Sequence, residues 1–121
     1  MTKVLLADDD PTIRLELHQM LEQRGLSVVS VSNADELIRQ FELTHPDIVV
    51  TDDHMPPGKR GRDALKELRS HERYEHCRFI LYCGMPEVGE AEALGVEFIT
   101  KPNLPALVAM IEDAAVHPYA C

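Results

Sequence analysis

Short apolar runs alternate along the chain with stretches in which apolar residues recur every three or four positions. "KVLLA", Lys3–Ala7, is an unbroken run of strand length. Behind it, Ile13, Leu17, Met20 and Leu21 line one helical face. Asp10 before Pro11 is a helix start: a capping carboxylate, then a ring whose fixed φ suits the first turn. Gly25 supplies the stop. "SVVSV", Ser27–Val31, is β-branched and strand-like. Asn33 and Glu36 have the spacing of a capping box, opening a helix with Leu37, Ile38 and Phe41 inward.

The alternation continues. "DIVVT", Asp47–Thr51, is a third strand, and residues 63–72 form a helix burying Ala64, Leu65 and Leu68. "RFILYC", Arg78–Cys83, is a fourth strand and "VEFIT", Val96–Thr100, a fifth. Between them "GMPEVGEAEAL" has room for two helical turns at most, so that helix is expected to be short or absent. Asn103 is the expected cap of a last helix presenting Leu104, Leu107, Val108 and Ile111. Buried strands alternating with amphipathic helices predict an α/β fold: a doubly wound parallel five-stranded sheet, (βα)5, with right-handed crossovers. With no linker or internal repeat, residues 1–121 are expected to form one domain.

Composition narrows the function. A formal net charge of -9 opposes direct nucleic-acid binding, which needs clustered Lys and Arg. The longest basic feature, "GKRGR" (Gly58–Arg62), is expected to be a solvated loop. No apolar stretch approaches the roughly 20 residues that span a bilayer, and no signal peptide is evident, so a cytoplasmic location is expected. Three cysteines suggest no disulfide framework. Cys77 and Cys83, at opposite ends of a strand, would lie about 20 Å apart, beyond bridging distance. His71, His76 and Cys77 lack a recognisable metal-ligand spacing and are expected to face solvent.

Two strands stop on acids: "VLLADDDP" (Val4–Pro11) and "IVVTDDHMPP" (Ile48–Pro57). Ligands of open parallel sheets bind beyond the carboxyl ends of the strands where the strand order reverses, and in the flavodoxin-like order 2-1-3-4-5 that point lies between strands one and three. Asp8, Asp9 and Asp52 should therefore converge, since neighbouring strands lie about 4.8 Å apart. Such carboxylates repel unless one is protonated or a cation sits among them, and an all-oxygen set suits Mg2+. Helix capping is the plainer use for acids after strand one, and Asp10 is expected to serve it. Lys101, after strand five, can reach the same edge with a charge suited to a phosphoryl group.

These motifs, in this order, resemble the receiver (CheY-like) domains of two-component response regulators. The resemblance rests on "VLLADDDPTIR", "PDIVVTDDHMP", "CRFILYCG" and "GVEFITKP" and runs over almost the whole chain. It implies a phosphorelay module that takes a phosphoryl group onto Asp52 from a histidine kinase or histidine phosphotransfer protein, with Mg2+, and changes shape to alter a downstream protein or fused output domain. It further implies Mg2+ ligation by Asp8, Asp9, Asp52 and the backbone carbonyl of His54. Lys101 and Cys83 would contact the phosphoryl group, Cys83 and Phe98 would serve as switch residues, and the His54 side chain would modulate dephosphorylation. Asp53 would point away from the site.

Cys83 departs from the usual Thr or Ser, and the segment after it is shorter than usual, which leaves room for a degenerate receiver that binds partners without phosphorylation. A haloacid-dehalogenase-type phosphohydrolase is the enzymatic alternative. It needs a second acid two residues past its nucleophile, where this chain has His54.

Overall fold

The computed structural model describes residues 2–56, 58–83, 96–100 and 104–116, without the side chains of Cys83, Phe98 and Thr100. The elements run β1 (Lys3–Ala7), α1 (Pro11–Gln23), β2 (Ser27–Val31), α2 (Ala34–Thr44), β3 (Ile48–Asp52), α3 (Gly61–Leu68), a single 3-10 turn (Tyr74–His76), β4 (Arg78–Cys83), β5 (Glu97–Thr100) and α4 (Leu104–Val116). All strand pairs are parallel, in the order β2-β1-β3-β4-β5. The expected doubly wound sheet is therefore the observed one. The segment between β4 and β5, where a short or missing helix was expected, lies outside the described residues, as does Asn103.

Strand alternation divides the core into two layers. Leu5, Ala7, Val49, Phe79 and Leu81 face one side of the sheet, meeting Leu37 and Phe41 of α2 and Ala64, Leu65 and Leu68 of α3. Val4, Leu6, Ile48, Val50, Ile80 and Tyr82 face the other, meeting Leu17 and Leu21 of α1 and Leu107, Val108 and Ile111 of α4. Both faces are covered, which is why β1 and β3 are apolar at consecutive positions and not at alternate ones. Phe41 stacks on Phe79 at 6.0 Å between ring centroids, and Phe79 on Tyr74 at 4.4 Å. An Arg78–Glu97 ion pair joins β4 to β5.

Local signals set most of the boundaries. Asp10 caps α1, its carboxylate accepting the N–H groups of Thr12 (2.9 Å) and Ile13 (3.3 Å). Asn33 caps α2 through Glu36 N–H at 2.8 Å, but the Glu36 side chain pairs with Arg39. Gly25 ends α1 with φ of 81°, a conformation that costs glycine little. α3 departs from expectation: it begins at Gly61, two residues before Asp63, and ends at Leu68. Asp63 instead lies inside its first turn and accepts Arg60 N–H at 3.2 Å.

Candidate functional site

The register of β1 against β3 pairs Val4 with Ile48 and Ala7 with Thr51, so Asp8 and Asp52 lie one step beyond the last registered pair. Asp52 is the final residue of β3 and not the first residue after it. Both acids are nearly buried, at 1% and 6% exposure. Asp8 is fixed from several sides. Its N–H donates to Val31 O at 3.1 Å, its carbonyl accepts Arg14 Nη1 at 2.8 Å, and its Oδ1 accepts Asp10 N–H at 2.9 Å.

One carboxylate oxygen each from Asp8, Asp9 and Asp52 lies within 4.8 Å of the others, and among the described residues no other cluster of His, Cys, Asp and Glu could hold a metal ion. An octahedral shell of about 2.1 Å radius spans about 4.2 Å between opposite oxygens, so this separation has the scale of one hard cation with waters completing the shell. The donors are all carboxylate oxygens, the chemistry that suits Mg2+ and not a soft metal. The expected convergence of these three acids is observed. His54 follows as an exposed residue, and Met55 turns back into the core at 1% exposure. Lys101 and the side chain of Cys83, expected to contact the phosphoryl group, and that of Phe98, expected as a switch residue, lie outside the described residues.

Asp53, one residue past the end of β3, points elsewhere, and its surroundings correct the reading of "GKRGR". Arg62 is not part of a solvated loop but buried in the first turn of α3, at 5% exposure. Its Nε and Nη2 donate to the two oxygens of Asp53 at 2.9 and 2.8 Å, and its backbone N–H donates to Oδ1 at 3.2 Å. Arg60 pairs with the same carboxylate. Burial pushes the Asp53 carboxyl up, but the hydrogen bonds and charge of Arg62, with that of Arg60, outweigh it and hold it below the usual carboxylate value. Lys59, read with the same loop, bridges Glu67 at 2.6 Å and Asp35 at 3.5 Å.

The sequence signal for the Asp53–Arg62 pair was slight: an acid just past an apolar run and a base nine residues on, across a loop. Solvent exposure of His71 and Cys77 is corrected too. The His71 ring sits edge-on to Phe41 at 5.1 Å and its Nδ1 accepts Arg73 N–H at 3.1 Å. Cys77 is half-buried, and burial, with the nearby charge of Asp47, raises its thiol pKa.

Residues 4–112 match the response regulator receiver domain family. The chain belongs to that family. This receiver domain is 35% identical over 121 residues to the sensory/regulatory protein RpfC of Xanthomonas campestris, covering 94% of this chain and 16% of that protein. It is 36% identical over 105 residues to the C4-dicarboxylate transport transcriptional regulatory protein DctD of Pseudomonas aeruginosa, covering 84% of this chain and 22% of that protein. The domain thus spans under a quarter of the length of these curated relatives. Among solved structures, a response regulator receiver domain protein from Clostridium thermocellum superposes with a TM-score of 0.82 at 28% identity, covering 97% of this chain and 96% of that one. Among the described residues, no helix of the receiver domain is long and apolar enough to cross a membrane.

Proposed function

We propose that this receiver domain, as a single unit over residues 1–121, accepts a phosphoryl group on Asp52 from a histidine kinase or histidine phosphotransfer protein in the cytoplasm. The product, an aspartyl phosphate, alters binding of a downstream protein or a fused output domain. The observation that carries this reading is the convergence of Asp8, Asp9 and Asp52 within 4.8 Å at the β1–β3 edge.

The Asp52 carboxylate is the nucleophile. Its oxygen forms a bond to phosphorus as the bond from phosphorus to the donor's leaving atom breaks, in line on the opposite side. Asp8 and Asp9, with Asp52 and the His54 carbonyl, would hold Mg2+, which would neutralise charge on the carboxylate and phosphoryl oxygens. Asp8, held by hydrogen bonds to Val31, Arg14 and Asp10, brings a preorganised oxygen to that site. Lys101 pairs with the phosphoryl oxygens, and Cys83 and Phe98 carry the change outward from the site. A thiol donates more weakly than the usual hydroxyl, so Cys83 softens the coupling between phosphorylation and shape. The exposed His54 side chain sets how long the phosphate survives.

Incubation with acetyl phosphate and Mg2+, read by intact mass, tests the proposal. The expected result is a stoichiometric gain of about 80 Da, one HPO3 on a carboxylate, that disappears in Asp52→Ala. Rapid consumption of phosphodonor without an adduct would favour a hydrolase. No reaction would favour a degenerate receiver, the reading that Cys83 supports.

A further inference from the structure

Asp52 and Asp53 are adjacent carboxylates with the same intrinsic chemistry, and a cation between Asp8, Asp9 and Asp52 attracts any acid that can turn towards it. What holds each of them differs. Asp53 Oδ1 accepts the Arg62 backbone N–H at 3.2 Å and Nε at 2.9 Å, while Oδ2 accepts Arg62 Nη2 at 2.8 Å and an Arg60 guanidinium N–H. Four N–H donors fill a carboxylate that offers about four lone-pair sites. The rigid fork of a guanidinium also fixes the carboxylate plane, which a single ammonium cannot do.

Both partners of the central pair are nearly inaccessible to water, Asp53 at 2% exposure and Arg62 at 5%. The backbone reinforces them. Gly61 N–H donates to Asp53 O at 2.8 Å, and a Cβ at Gly61 would stand 2.1 Å from Asp52 O. The first turn of α3 is therefore closed directly against the Asp52–Asp53 peptide. For Asp53 to turn towards Asp8 and Asp9, a buried guanidinium would have to release it.

We propose that Arg62, supported by Arg60, determines which of the two carboxylates reacts: it holds Asp53 outside the metal and phosphoryl site, so that Asp52 alone is presented. The inference rests on Asp52 as the acceptor. Arg62 acts through Asp53 and is a positioning residue. A merely structural ion pair would affect stability but not the position of the label.

The test uses acetyl phosphate with Mg2+. A carboxylate oxygen bonds to phosphorus, the bond from phosphorus to the acetate oxygen breaks, and acetate leaves with its electron pair. Borohydride then delivers two hydride equivalents to the acyl carbon and releases phosphate, leaving homoserine where the aspartyl phosphate stood, which peptide mass spectrometry locates. The parent should carry homoserine at position 52, Asp52→Asn at neither position, and Asp52→Asn/Arg62→Met at position 53. A folded double variant unlabelled at 53 overturns the proposal. If circular dichroism shows that Arg62→Met does not fold, Arg62→Lys in the same background gives the same reading, because it keeps the charge and loses the fork.

Mg2+ calorimetry on Asp53→Asn provides an independent arm, needing no phosphorylation. Affinity close to the parent's is expected. A loss of roughly tenfold or more, the size caused by deleting a carboxylate that supports a metal, would make Asp53 part of the metal site and overturn the proposal. A parent that binds Mg2+ but takes no label refutes Asp52 as acceptor, and this arm still decides whether Asp53 is held away from the metal.

Discussion

At Asp53 a carboxylate has exchanged water for two guanidinium groups, and this exchange makes its contribution to stability depend on pH. Its folded pKa lies below the unfolded value of about 3.9. Between those two values the unfolded chain binds more protons than the folded one, so stability rises with pH through that window. The contribution is therefore complete above the unfolded value and lost as pH falls through the lowered folded one. Replacing Asp53 and Arg62 by apolar groups, Asp53→Leu/Arg62→Met, should cost about 1–3 kcal/mol at pH 7, because the ion pair returns about what its burial costs but the buried Arg62 N–H loses its acceptor. Urea midpoints measured from pH 6 to pH 3 should then fall less steeply in the variant. Equal slopes would show that the Asp53 carboxyl is not held below its ordinary value. Only part of this was legible beforehand. The choice of Asp52 over Asp53 came from a family resemblance, since alternation says that two adjacent residues point apart but not which one faces the site. Arg62 was hidden because a base in a glycine-containing loop carries no local mark of the acid it meets nine residues away.

Among the elements, those with local start signals were placed from sequence and those fixed by tertiary contacts were not. α1 begins where Asp10 and Pro11 predict, and β1, β2 and β4 have the expected bounds, because an apolar run between polar breaks is itself the physical cause of a buried strand. α3 begins early because Arg62 and Gly61 are drawn onto Asp53 and Asp52, a cause that lies in another element. β3 includes Asp52 for a similar reason: its pairing partner, Tyr82, is supplied by β4. The acids after β1 illustrate a division of labour within one turn. Asp10 spends its side chain on two N–H groups of α1, while Asp8 and Asp9 are left to face Asp52. Asp10→Ala should therefore cost about 1 kcal/mol of stability, the usual value of an N-cap, read as a lower urea midpoint. Its Mg2+ affinity by calorimetry should stay near the parent's. A loss of affinity as large as that of Asp9→Ala would place Asp10 in the metal site.

Over the whole molecule, a closed two-layer core supports an edge at which charge gathers. The layers hold β1 and β3 side by side, and the chain's reversal of strand order brings their terminal acids together without a local sequence signal at either one. The formal net charge of -9 surrounds this edge with a field that repels anions. A small anionic phosphodonor has no docking surface to offset that repulsion, so its encounter rate should follow the screening of the field. The Debye length falls from about 30 Å at 0.01 M salt to about 8 Å at 0.15 M. With Mg2+ held saturating and in excess, the second-order rate of labelling by acetyl phosphate should rise as sodium chloride is added across this range, as measured by intact mass against time. Circular dichroism across the same salt range should show no change, which separates screening from an effect of salt on the fold. A rate that falls with salt would mean that the cations proposed for the site, Lys101 foremost, govern the approach of the donor more than the molecule's overall charge does.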